Sequence, residues 1–251
     1  MDVLTDGNTQ VRSYKAYLFD LYGTLADIHT DERKLSFWKK QVEVFRSYRA
    51  VYEAKELRTL YFDEIARLEK EKHKEGHEIE IDLGEVFIEL LKKKDVSANE
   101  EKIRRIAGSF REASRTHLRA YAHARELLQK LHEQGKKVFL LSNAQSLFTM
   151  DELKELGFTD LFDDILISSD FGYKKPDPII FTILLKRNCL SPEDCLMIGN
   201  DLYSDVLGAR RAGIDSYYIR SALSSKGSVG IRADYDQEGM DLQRLMKRIC
   251  G

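Results

Sequence analysis

The sequence predicts an α/β protein: a doubly wound parallel sheet, Rossmann-like, interrupted by an inserted helical-bundle cap. Three observations carry this prediction. Short, continuously apolar runs alternate with helix-like stretches, as strands covered on both faces do. Residues 27–116 show helical periodicity and no strand pattern. All three prolines, Pro176, Pro178 and Pro192, fall in the last third of the chain, so the long middle segment is built differently from the C-terminal part.

The first apolar run, Tyr17-Leu18-Phe19, stops at Asp20 and a Gly23-Thr24 turn, the pattern of a buried strand delivering a polar group at its end. The cap comes next. Leu35, Trp38, Val42 and Phe45 step by threes and fours; so do Leu57, Leu60 or Tyr61, and Ile65 to Leu68. Val86, Leu90 and Leu91 form a third set, and Ile103, Ile106 and Phe110 a fourth. Four amphipathic helices can enclose a small core. Trp38 belongs inside it, whereas Tyr48, Tyr52 and Tyr61 are open to facing a substrate cleft instead. The charged runs 69–75 and 92–95 read as solvated helix faces and ends.

Past the cap, Arg125–Glu133 places Leu127, Leu128 and Leu131 on one face before Gly135, and Leu147–Leu156 ends at Gly157. Four further apolar runs are strands: Val138–Leu141, Ile165–Ile167, Cys195–Ile198 and Ser216–Ile219. The chain therefore divides into a core of residues 1–26 and 117–251 and a cap of residues 27–116.

Composition narrows the function classes. Of 251 residues, 43% are hydrophobic and 33% charged, enough for a real core under a solvated surface. Lys+Arg number 40 against Asp+Glu 42, a net charge of -2, so no global field calls for nucleic acid or an acidic membrane. No run reaches the roughly 18 apolar residues of a spanning helix. The polar N-terminus lacks a signal-peptide pattern, and Cys189, Cys195 and Cys250 show no metal-like spacing. They read as two core thiols and one tail thiol of a cytoplasmic protein. Neither nucleotide-binding glycine fingerprint occurs, and the six histidines show no HExxH or paired spacing, which leaves them surface or packing roles. Oligomeric state is not legible.

Ligands of open α/β sheets bind outside the carboxyl ends of the strands. There the sequence sets Asp20, then Ser142-Asn143, then Lys174-Lys175-Pro176-Asp177-Pro178, then Gly199-Asn200-Asp201 with Asp205 beyond. A carboxylate can attack phosphorus or carbon to form a covalent intermediate. A hydroxyl and a lysine can hold a transferring anion, and two aspartates can share a hard cation such as Mg²⁺.

In this order, the motifs Asp20–Leu25, Ser142-Asn143, Lys175–Pro178 and Gly199–Asp205 resemble the haloacid dehalogenase-like hydrolase superfamily, in its form with a helical cap after the first strand. Tyr121 with His123–Leu128 resembles that family's re-entry into the core. The resemblance implies a Mg²⁺-dependent phosphatase acting on a small phosphorylated metabolite. Asp20 would be the nucleophile and, with the backbone carbonyl of Tyr22, a metal ligand. Ser142 would hydrogen-bond the phosphoryl oxygens, aided by Thr24 and Asn143, and Lys175 would neutralise charge and orient Asp20. Asp201 and Asp205 would complete the metal site.

Two positions depart from the family's phosphatase pattern. Tyr22 stands where those members carry a second aspartate as acid and base; a phenol, of pKa about 10, serves this role poorly. An alcohol leaving group suffers most from that exchange, an acyl phosphate or halide least. Asn200 is the ligand position on one alignment; the spacing of Asp201 and Asp205 fits the other, which is preferred. The DLYGTL form of the first motif also matches 2-haloacid dehalogenases, which would attack carbon through an aspartyl ester. A cap arginine would then bind halide, with Arg46, Arg49 and Arg58 available. A third reading is a catalytically idle member binding a small anion or a protein.

Overall fold

The computed structural model describes residues 11–225 and 230–251; the polar N-terminal stretch of residues 1–10 lies outside them. Five runs form parallel strands: β1 (Ala16–Phe19), β4 (Lys137–Ser142), β5 (Asp164–Ile167), β6 (Cys195–Gly199) and β7 (Asp215–Ile219). A sixth, β8 (Tyr235–Gln237), completes the order β5-β4-β1-β6-β7-β8. Its three residues are polar or aromatic and carry no apolar run, so no sequence signal marked it.

Alternation explains the continuous apolar runs. Tyr17 and Phe19 of β1 pack to one face with α5 (Ala124–Glu133) and α9 (Leu242–Cys250). Ala16 and Leu18 point to the other, against α7 (Pro178–Arg187) and α8 (Gly208–Arg211). Both faces are covered, so neither position can be polar. From β1 the chain runs outward through β4 and β5, then returns to β6 on the opposite side. The strand order reverses at β1, and the crevice at such a switch point lies beyond its carboxyl end. Asp20 is the next residue.

The cap consists of α1 (Leu35–Ser47), α2 (Ala54–Lys72), α3 (Leu83–Lys92) and α4 (Glu100–Ser114). Its core gathers Phe37, Trp38, Phe45, Tyr61, Phe87 and Phe110, together with Phe148 from α6 (Ser146–Leu156). Trp38 meets Phe37 edge-on at 5.0 Å and tilts against Tyr61 at 5.2 Å, geometries aromatic rings favour. Tyr52 and Tyr61 are buried in this core, which removes them from any cleft; Tyr48 is half-buried.

The expectation of no strand between 27 and 116 needs correction. β2 (Ala26–Thr30) and β3 (Arg115–Ala120) pair antiparallel, Asp27 opposite Arg119, and form the two-stranded stalk joining cap to core. Both are short and polar, and each one's partner lies on the far side of the cap. Local periodicity therefore held no signal for them. The cysteine expectation also changes: Cys195 alone is buried. Cys189 is exposed with φ 53°, because it lies just past the end of α7, where helices commonly turn left-handed.

Candidate active site

Immediately after β1 the chain tightens: the amides of Thr24, Leu25 and Ala26 all point back to the carbonyl of Leu21, at 3.2, 2.8 and 2.9 Å. Gly23 takes φ 91°, and a Cβ there would collide with the Asn200 side chain. The turn after β1 is thereby pressed against the end of β6.

Lys175 is the centre of the site. Its ammonium lies 2.8 Å from Asp20 Oδ1 and 2.7 Å from Asp205 Oδ1, and donates to the Leu141 carbonyl at 2.7 Å. Its side chain is only 1% exposed. Burial works against the charge, but the two carboxylates outweigh it and hold the lysine above its ordinary pKa. Asp205 is pushed the other way: burial raises it to about 6, against the pull of Lys175. Its Oδ2 accepts from the Asp201 amide at 2.9 Å, and a side chain at Gly199 would overlap it.

The other expected residues divide. The Thr24 hydroxyl lies 3.4 Å from Asp20 Oδ2 and 3.3 Å from Asn200 Oδ1. Ser142 closes β4 at 1% exposure, and its hydroxyl has no hydrogen-bond partner among the described residues. Such a buried orphan costs about 1–3 kcal/mol unless a ligand satisfies it. Asn143, expected at the substrate, instead grips the backbone of Lys175. Its Nδ2 donates to that carbonyl at 2.8 Å and its Oδ1 accepts from that amide at 2.7 Å.

Asp201, preferred by spacing as the metal ligand, has one oxygen committed to a helical turn. Its Oδ1 accepts from the amides of Tyr203 and Ser204 at 2.9 and 2.7 Å, capping the helical turn Leu202–Leu207. An aspartate just before a helical turn is drawn to its free amides, and the spacing argument left that competition out. Despite burial, hydrogen bonds from Ser225 and from that turn hold it below the usual carboxylate range. Among the described residues no three His, Cys, Asp or Glu side chains converge as a metal cluster.

Tyr22 sends its side chain elsewhere. Its hydroxyl donates to Glu152 and lies 3.1 Å from Thr149 Oγ1. Burial first, and the Glu152 charge second, push the phenol above its ordinary range. Glu152 is itself held by Arg111 of α4 at 2.7 Å and by Arg115 at 3.4 Å. This buried network ties the nucleophile's turn to the cap, and sequence reading missed it because its members lie far apart in the chain. Arg46, Arg49 and Arg58 are all exposed, Arg46 paired with Glu43.

Mg²⁺ takes hard oxygens, commonly one or two protein carboxylates plus waters and phosphoryl oxygens. Asp20 Oδ2 and Asn200 Oδ1 both lie around the one Thr24 hydroxyl. That sparse pair fits a cation which keeps its remaining positions for water and substrate.

A model of the haloacid dehalogenase-like hydrolases matches residues 14–213. Among curated relatives, glyceraldehyde 3-phosphate phosphatase of Pyrococcus furiosus is 28% identical over 134 residues, 53% of this chain and 56% of that one. Phosphoglycolate phosphatase of Vibrio vulnificus is 36% identical over 97 residues, 39% of this chain and 42% of that one. The match thus spans about half or less of either relative's length. A 2-haloacid dehalogenase from Pseudomonas syringae superposes with TM-score 0.63 at 18% identity, covering 94% of this chain and 97% of that one. A phosphatase from Thermococcus onnurineus gives 0.58 at 24%, covering 93% and 96%. At these identities the two structures speak for the fold alone.

Proposed function

Because the chain belongs to the haloacid dehalogenase-like hydrolases, we propose that it is a cytoplasmic, Mg²⁺-dependent phosphatase of a small phosphorylated metabolite. The observation that carries this reading is the orphaned, buried Ser142 hydroxyl beside a nucleophile already held by Lys175. Lys175 holds the Asp20 carboxylate through Oδ1 and orients it for attack on phosphorus. Ser142 donates to a phosphoryl oxygen, which pairs the orphan as substrate binds and holds the group in place for attack. The phosphorus–oxygen bond to the leaving group breaks as the bond to Asp20 forms. Water then hydrolyses the aspartyl phosphate, releasing inorganic phosphate and regenerating the carboxylate. Mg²⁺, held by Asp20, Asn200 and the Tyr22 carbonyl, would neutralise phosphoryl charge.

Tyr22 is not the proton donor of this cycle, since its proton is committed to Glu152. Leaving groups that depart without protonation are therefore the better substrates, acyl phosphates ahead of alkyl esters. Turnover of p-nitrophenyl phosphate and acetyl phosphate, with and without Mg²⁺, tests the reading. Turnover of neither, with metal-free chloride release from 2-chloropropionate, would replace it with carbon-centred hydrolysis. Asn200 and Tyr22, an amide and a phenol where a phosphatase favours acids, are the observations on that side.

A further inference from the structure

The cap touches the core at a second place, far along the chain from the β2–β3 stalk. Between α2 and α3, Ile79 pairs antiparallel with Tyr173, flanked by Glu80 N to Gly172 O at 3.1 Å and Lys174 N to Glu78 O at 3.0 Å. His77 Nδ1 lies 2.9 Å from Asp177 Oδ2, which also accepts from the Glu78 amide at 3.0 Å. The other oxygen, Asp177 Oδ1, caps α7 through the Ile179 amide at 2.9 Å. Gln145, three residues past Ser142, donates to the Ile81 carbonyl and accepts from the Leu83 amide, both at 2.8 Å. Tyr203 donates to Glu78 at 2.7 Å. One cap segment thus engages the loops after β4, β5 and β6 together.

We infer that residues 77–81 are a positioning clasp for Lys175. The lysine leaves its loop between Tyr173, paired to the cap, and Asp177, held by His77. Asn143 fixes its backbone from the core side. Without the clasp, the loop keeps Asn143, the α7 cap through Asp177 Oδ1 and the lysine's own side-chain bonds, but loses its attachment to residues 77–81. His77 is 38% exposed and Asp177 fully buried, so the histidine supplies a bond that water would otherwise compete for at the loop's edge. It touches no reacting atom and acts through Asp177, and it binds the cap's seating to the alignment of the ammonium with Asp20. Tight alignment is worth large factors in rate.

The kinetic test rests on the phosphatase reading. In His77→Leu, kcat for p-nitrophenyl phosphate should fall about tenfold with KM nearly unchanged, and His77→Asn, which keeps a donor near Nδ1, should restore most of it. Ile79 and Tyr173 form a non-hydrogen-bonded pair, whose Cα atoms sit about 4.5 Å apart, within disulfide range. Ile79→Cys with Tyr173→Cys, oxidised in a Cys189→Ser background, should rescue His77→Leu, and dithiothreitol should abolish the rescue. Wild-type kcat in His77→Leu, or no rescue in the folded cross-linked protein, overturns the clasp. So does loss of turnover when the cross-link is closed in the otherwise native chain. Should the native enzyme turn over neither p-nitrophenyl phosphate nor acetyl phosphate, the phosphatase reading fails and amide exchange decides the clasp. Slow exchange at Lys174 and Glu80, accelerated about 100-fold in His77→Leu, supports it; fast exchange in the native protein sinks it.

Discussion

Lys175→Met removes the one cation that two buried carboxylates share, and its cost should depend on pH in a definite direction. At pH 8 the variant leaves Asp205, 2% exposed, as an uncompensated charge. Breaking such a pair from one side costs about 3–5 kcal/mol. Asp20, at 12% exposed, can recover some hydration, so Asp205 dominates. At pH 5 the balance differs. Asp205 already sits at about 6 with the lysine present, and without that stabilising charge it rises further and binds a proton. The remaining loss is the hydrogen bonds and the pairing with the partly hydrated Asp20, about 1–2 kcal/mol. The sign is that of a raised carboxylate: its stabilisation is complete below the unfolded value and is lost as pH rises through the folded one. At about 3 °C per kcal/mol for a chain of this size, melting should fall about 12 °C at pH 8 and about 5 °C at pH 5. Thermal melts by circular dichroism at both pH values measure this. Adding Asp205→Asn should recover most of the loss at pH 8. A pH-independent loss, a shift under about 2 °C, or no relief from the second change would refute the shared-charge account.

The same geometry sets three further outcomes. Ser142→Ala should leave melting within about 2 °C yet weaken phosphate binding by about tenfold in calorimetry; equal affinity would remove Ser142 from the anion site. Asn200→Asp adds a charged oxygen beside Asp20 and should tighten Mg²⁺ about tenfold by titration calorimetry, and an unchanged affinity would place the cation elsewhere. Tyr22→Phe should cost about 1–2 kcal/mol in guanidinium unfolding, because Glu152 keeps both arginines. A loss above about 4 kcal/mol would mean the phenol organises the whole junction.

One rule of locality separates the features the sequence disclosed from those it hid. Strands β1, β4, β5, β6 and β7 announced themselves because burial on both faces demands unbroken apolar runs. Asp20, Ser142 and Lys175 were legible because each comes directly after such a run or in the loop just past one. The stalk strands were not, since Ala26–Thr30 and Arg115–Ala120 owe their pairing to each other across the whole cap. Asp201 and Asn143 were read as ligands because residue type and position suit that role. Only the three-dimensional arrangement could show that helix amides and the Lys175 backbone claim those side chains first. The Tyr22–Glu152–Arg111 network was illegible for the same reason as the stalk.

Charge arithmetic explains why metal dependence separates the two enzymatic readings. The immediate site holds Asp20, Asp205 and one ammonium, a balance between neutral and one negative charge, depending on whether Asp205 carries its proton. On the side of Tyr22, Arg111 and Arg115 are engaged by Glu152. A phosphoryl dianion brought against this site meets no surplus positive charge, and at close range inside a protein each unpaired charge interaction is worth several kcal/mol. On the proposed reading, phosphoryl transfer would draw on a cation from outside the chain, whereas attack on a halogen-bearing carbon displaces charge onto the departing halide. A site so nearly balanced should lose phosphatase turnover on chelation, while carbon-centred turnover should persist. Metal removal discriminates between them more sharply than any single substitution.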